Sequence, residues 1–218
     1  MLVVAYALND KQLSNEDFIY HLKTLPIAFR DKITKFHNWK DSQASLFGKL
    51  LLKHILAMYE SQYTLNDILL TANGRPYISN SFDFNITHSG SYVICAYSNE
   101  GRIGVDIEAI KPIDLSHFES IFTQDEFNQI LASTNKQLSF YNFWTIKEAA
   151  IKADGRGLMI PLRNVKIDGE TVLIEDQKWF YTKIDFREDY ILHIATNSHI
   201  STPLQLVQLY FKEGVKKN

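Results

Sequence analysis

Ile103-Gly104-Val105-Asp106-Ile107-Glu108-Ala109-Ile110 alternates apolar and acidic residues. In an extended chain successive side chains point to opposite faces. Val105 and Ile107 therefore face one way, and Asp106 and Glu108 the other. The stretch reads as a strand with one apolar and one acidic edge. The two carboxylates repel each other when ionised, and call for water, a base or a cation between them. On its own the pattern also describes the solvated face of an edge strand.

Working outward from this strand, apolar alternation predicts strands at residues 1–8, 82–87 and 92–98, and beyond it at 165–167, 172–175, 179–185, 191–196 and 206–210. Helical spacing predicts helices at 16–25, 28–39, 42–61 and, briefly, 66–70. It predicts three more at 115–122, 124–132 and 137–154. Helices followed by antiparallel strands, twice over, give an α+β fold in two halves, 1–102 and 103–218. Each half has about the size of a small domain.

The helix before Gly155 carries the second chemical signal. Phe140, Trp144 and Ile151 share one stripe at about 100° per residue. Glu148 follows Trp144 by one turn, and Lys152 follows Glu148 by one turn, at the margin of that stripe. An i,i+4 surface pair has the same spacing. Three acids with lysines nearby are also a means of holding a divalent cation against phosphate oxygens.

Composition narrows the classes. The chain has 218 residues, 45% hydrophobic, with a net charge of −2. That balance leaves no basic footprint for nucleic acid. Met1–Leu8 is too short to span a bilayer and has no basic leader. Cys95 is the single cysteine. It lies in an apolar strand pattern, which fits a core residue in a reducing compartment, the cytoplasm. No zinc spacing, phosphate loop or dinucleotide fingerprint occurs. The stretch 212–218 reads as a solvated end.

Gly104-Val105-Asp106-Ile107-Glu108, followed by Trp144-Thr145-Ile146-Lys147-Glu148-Ala149-Ala150-Ile151-Lys152 and Gly155-Arg156-Gly157-Leu158, resembles the 4'-phosphopantetheinyl transferase superfamily in its Sfp-like, monomeric branch. Asn73-Gly74-Arg75-Pro76 and Asn85-Ile86-Thr87-His88-Ser89 are similar to two further segments of that family. The resemblance covers residues 30–162. It implies two pseudo-symmetric halves, each a mostly antiparallel sheet with helices, and an active site in the cleft between them. The implied reaction moves the 4'-phosphopantetheine arm of coenzyme A to a serine of an apo acyl or peptidyl carrier protein. Mg²⁺, or Mn²⁺, assists, and adenosine 3',5'-bisphosphate leaves.

The resemblance also assigns roles. Asp106, Glu108 and Glu148 hold the metal. Glu148 is the base, and Lys152 steadies the pyrophosphate. Coenzyme A contacts are expected from Arg75, Pro76, Thr87, His88, Lys147 and Lys152. Lys147 points away from Glu148, toward an adenine-side phosphate or solvent. Thr87-His88-Ser89 is expected as a strand-end turn. Arg75, in a turn, clamps a phosphate or stacks on adenine. The arginine usual near the start of the long first-half helix is missing. Ser42-Gln43-Ala44-Ser45 stands there, with Arg30, Lys32 and Lys49 as substitutes for the 3'-phosphate. Two other classes compete: a binding module for coenzyme A or carrier without turnover, and a Mg²⁺-dependent phosphodiesterase or nuclease.

Overall fold

The computed structural model describes residues 1–200 and 202–211. The predicted solvated end, 212–218, lies outside the described residues.

The chain opens with β1 (Leu2–Leu8), whose run of apolar residues is buried on both faces. Then come α1 (Asn15–Lys23), α2 (Ile27–Ile33) and the long α3 (Trp39–Tyr59). The predicted second helix stops earlier than expected, at Ile33. Its end is closed by Thr34, and Asn38 accepts from the Lys40 amide to start α3 at Trp39. A single 3-10 turn at Leu65–Asp67, closed by a Thr64–Asp67 capping box, replaces the short helix. A small hairpin follows, β2 (Leu69–Leu70) with β3 (Pro76–Tyr77). Next are β4 (Asp83–Ser89), β5 (Tyr92–Ser98) and β6 (Ile103–Ala109).

Two 3-10 turns, Leu115–His117 and Glu119–Ile121, stand where one helix was predicted. Asp114 caps the first of them, and Phe118 and Phe122 pack edge-on against Phe140. α4 (Gln124–Ala132) and α5 (Lys136–Asp154) precede a meander of β7 (Val165–Asp168), β8 (Thr171–Ile174), β9 (Gln177–Ile184) and β10 (Tyr190–Thr196). The last described strand is β11 (Leu204–Leu209).

The strands form two main sheets, ordered β11-β1-β5-β4 and β6-β10-β9-β8-β7. The fold is thus α+β with two domain-like halves, as expected. The boundary is less simple than a cut at 102/103, because β11 pairs in parallel with β1 and belongs to the first sheet. Period-2 alternation finds a strand but says nothing of its distant partner.

Alternation along β1 separates the cores. Val3, Ala5 and Ala7 join Phe47, Leu51 and Ile55 of α3. Leu2, Val4 and Tyr6 join Val105 and Ile107 of β6 and Leu192 and Ile194 of β10. The first sheet is therefore packed between α3 and the second sheet. On the outer face of the second sheet lies α5, whose Ala149, Ala150 and Ala153 are buried with Val165, Val172 and Trp179. Gly104 makes that packing close: a Cβ there would stand 2.0 Å from the Ala149 carbonyl oxygen. Cys95 is fully buried, and burial pushes its thiol up to about 12, as befits a core residue.

Candidate active site

β4 and β6 are each the last strand of a sheet, and they meet side by side without backbone pairing. The seam is closed by alternate side chains of β4. The Ile103 amide donates to Asp83 Oδ2 at 2.8 Å, the Val105 amide to Asn85 Oδ1 at 3.0 Å, and the Ala109 amide to Ser89 Oγ at 3.1 Å. An edge strand that would otherwise leave these donors buried and unpaired is satisfied in this way. The expectation of a strand-end turn at Thr87-His88-Ser89 is corrected. β4 runs through Ser89, and the turn falls at Gly90.

The same register brings Thr87 to Asp106. Thr87 Oγ1 donates to Asp106 Oδ1 at 3.3 Å, and Lys152 Nζ donates to both, at 3.1 Å to Thr87 Oγ1 and 2.5 Å to Asp106 Oδ1. Asp106 is 4% exposed, and its Oδ2 is buried with no hydrogen-bond partner among the described residues. Burial pushes the Asp106 carboxyl up to about 6. Lys152 opposes this, and Glu108 adds to it. Glu148, half-buried, is raised first by burial and then by the charge of Asp106, against Lys152. Three sequence-predicted residues, Asp106, Glu148 and Lys152, thus share one field. Glu108 is adjacent on β6, its Oε2 accepting from Ser89 Oγ at 2.6 Å.

Opposite Asp106 on β10 lies His193, buried, with Nδ1 2.7 Å from Thr145 Oγ1. Burial lowers its imidazole to about 3, so it stays neutral beneath the acidic face. His88 lies on the other side of β4 from Thr87, and is exposed. Partial desolvation lowers its imidazole, Asp41 raises it and Lys152 lowers it, which puts His88 within reach of the same lysine's charge.

Among the described residues, no group of three His, Cys, Asp or Glu side chains is gathered as a metal site. The donors nevertheless suit a hard cation. Asp106 offers an unpaired buried oxygen, the charge of Glu108 adds to the raising of Asp106, and that of Asp106 adds to the raising of Glu148. Mg²⁺ commonly takes only one or two protein carboxylates and completes its shell with phosphate and water.

Three expectations are corrected. Arg75 is no free clamp. Its guanidinium makes a two-pronged pair with Asp83 at 2.8 and 2.6 Å, and donates to the carbonyls of Lys152 at 3.0 Å and Ile103 at 2.9 Å. It fastens the first half to α5 and β6, and Pro76 beside it belongs to the small hairpin. Lys147 reaches neither phosphate nor solvent. It is fully buried, its Nζ 2.8 Å from Glu126 and donating to the carbonyls of Leu162 and Val165. Arg30 is spent on the carbonyls of Leu25 and Lys23, both at 2.6 Å.

Lys32 remains an exposed cation on α2. Its charge helps to lower the half-buried Lys49, which is lowered chiefly by burial and lies 5.3 Å from the Phe29 ring. Among the described residues neither lysine is in an ion pair with a carboxylate. Where the usual arginine is missing, Ser42 donates to the Ile33 carbonyl, and Gln43 ties Asn9, Lys11 and Leu13 to α3.

Sequence reasoning missed Asp83 and Ser89. The signal was present: polar residues at 83, 85, 87 and 89 recur with period 2, as a strand facing a polar edge requires.

Comparison with known proteins gives the family. Residues 102–198 match the family model described as the 4'-phosphopantetheinyl transferase superfamily, and residues 12–100 match its 4'-phosphopantetheinyl transferase N-terminal model. The chain belongs to the 4'-phosphopantetheinyl transferase superfamily, a class of enzymes. Within that class it falls in the Sfp-like branch. It is 32% identical to the 4'-phosphopantetheinyl transferase Sfp of Bacillus subtilis over 72% of either chain. It is 37% identical to the transferase gsp of Aneurinibacillus migulanus, over 66% of this chain and 63% of that one. It is also similar to the L-aminoadipate-semialdehyde dehydrogenase-phosphopantetheinyl transferase of Homo sapiens, at 27% identity over 71% of this chain and 56% of that one.

Proposed function

We propose that the protein transfers the 4'-phosphopantetheine arm of coenzyme A to a serine hydroxyl of an apo acyl or peptidyl carrier protein, with a divalent cation bound. The observation that carries this reading is the meeting of Thr87, Asp106 and Lys152 at the seam between the halves, with one Asp106 oxygen left unpaired.

Asp106, Glu108 and Glu148 would hold Mg²⁺ or Mn²⁺. When bound, the cation neutralises charge on the pyrophosphate. The chain's own groups do the rest. Lys152 donates to Asp106 without substrate and turns one of its three N–H donors to a phosphate oxygen when coenzyme A binds. Glu148 takes the proton of the carrier serine. Burial raises its basicity, which suits a general base near neutral pH. The serine oxygen forms a bond to the phosphorus of the pantetheine phosphate. The bond from that phosphorus to the bridging oxygen breaks, and adenosine 3',5'-bisphosphate departs with the electron pair. His88 and the Lys32–Lys49 pair serve the anionic nucleotide end. One polypeptide supplies both sides of the seam, which supports a single chain as the working unit.

The test is to incubate the protein with Mg²⁺, coenzyme A and a panel of apo carriers, and to read intact carrier masses with and without chelator. The expected result is a phosphopantetheine adduct that disappears with chelator. An unmodified panel overturns the reading.

A further inference from the structure

Two hydroxyls of β4, two residues apart, face two carboxylates of β6, also two residues apart. Thr87 bonds Asp106 through Oδ1, and Ser89 bonds Glu108 through Oε2. In each carboxylate one oxygen is tied to β4. For Asp106 the other oxygen has no partner among the described residues. Ser89 Oγ accepts from the Ala109 amide at 3.1 Å and donates its single proton to Glu108 Oε2, 2.6 Å away. The Ala109 amide sits one residue from Glu108 on a paired strand, which leaves the hydroxyl little freedom. Glu108 accepts through Oε2.

We propose that Ser89 is a positioning residue for cation binding: it anchors Glu108 through Oε2 and leaves Oε1 as the oxygen offered to the metal. This rests on the reading of Glu108 as a ligand given above. A long glutamate loses rotamer freedom on ligating a metal. A carboxylate already held at one oxygen loses less, so the anchor adds to cation affinity. Partners of this kind behind metal ligands typically contribute about 10–100-fold.

The experiment titrates Mn²⁺ into the full-length protein with coenzyme A present, reading free Mn²⁺ by electron paramagnetic resonance, with thermal unfolding measured alongside. Ser89→Ala should weaken Mn²⁺ binding about 10–100-fold, while Ser89→Thr, which keeps the hydroxyl, should stay near the unmutated value. Ser89→Cys has almost the same volume and only a weak donor. It should follow Ser89→Ala, and it serves should the alanine variant fail to fold. Unchanged Mn²⁺ affinity in folded Ser89→Ala or Ser89→Cys, beside a loss in Glu108→Gln, overturns the positioning role and leaves the site reading standing. Failure of the unmutated protein to bind Mn²⁺ overturns both.

Discussion

Replacing Gly104 by alanine should cost activity out of proportion to stability. The added Cβ would meet the Ala149 carbonyl oxygen at 2.0 Å and the Ala153 amide nitrogen at 2.4 Å. These are backbone atoms in the last two turns of α5, so no side chain can swing away. Restoring an ordinary 3.4 Å contact with the Ala149 oxygen requires α5 and β6 to separate by about 1.4 Å. Overpacking of this kind typically costs about 1–3 kcal/mol. At about 2–4 °C per kcal/mol for a chain of this size, the melting temperature should fall by about 2–12 °C. The functional cost is larger, because Glu148 and Lys152 ride on α5 and Asp106 on β6. A displacement of about 1 Å at reacting groups can cost about 10²-fold in rate. The assay is carrier modification at saturating coenzyme A, set against thermal unfolding, at a temperature where the variant is folded. A Gly104→Ala protein with a turnover within threefold of the original would refute the argument that this contact sets the α5–β6 spacing.

Lys147→Met should unfold the protein rather than disable it. It strands Glu126 in the interior, a loss of about 3–5 kcal/mol for a broken buried pair, and chemical denaturation should show this while the KM for coenzyme A of the folded fraction is unchanged. Glu148→Gln should lower the transfer rate by about 10²–10⁴ with coenzyme A affinity nearly kept, as single-turnover kinetics and calorimetric binding would separate. Without metal, stability should fall as pH rises from about 4 to about 6. Asp106 titrates near 6 in the folded chain and near 3.9 unfolded, so in that window the native state holds the extra proton. About two pH units at 1.36 kcal/mol each sets an upper bound of about 3 kcal/mol. Asp106→Asn should flatten that slope in denaturation curves; an unaltered slope would contradict the assignment.

The strands and helices were legible wherever one face is apolar. The bounds of β6 and α5 fall within a residue of those their sequence periodicity predicts, though β6 is buried on both faces. What escaped was partnership. Arg75 looked like a free turn arginine, since nothing local announces that Asp83 will fold back onto it. Lys147 looked like a lysine at liberty on a helix; its burial depends on Glu126 and on carbonyls after residue 160. The 85–89 motif suggests a ligand contact. Three of its side chains also close the seam, and only the alternation from Asp83 onward hints at that.

The parallel pairing of β1 with β11 bears on how the chain is made. Leu2 waits for Leu204, 202 positions later, before that side of β1 is covered. During synthesis the apolar run Leu2-Val3-Val4-Ala5-Tyr6-Ala7 can pair with β5 as soon as Tyr92–Ser98 has emerged, but its other edge stays open until nearly the whole second half has been translated. Such an edge invites pairing with strangers. The nascent first half is therefore the stage at which this protein is most exposed to aggregation, and shortening the chain ahead of Leu204 should yield insoluble rather than merely inactive material.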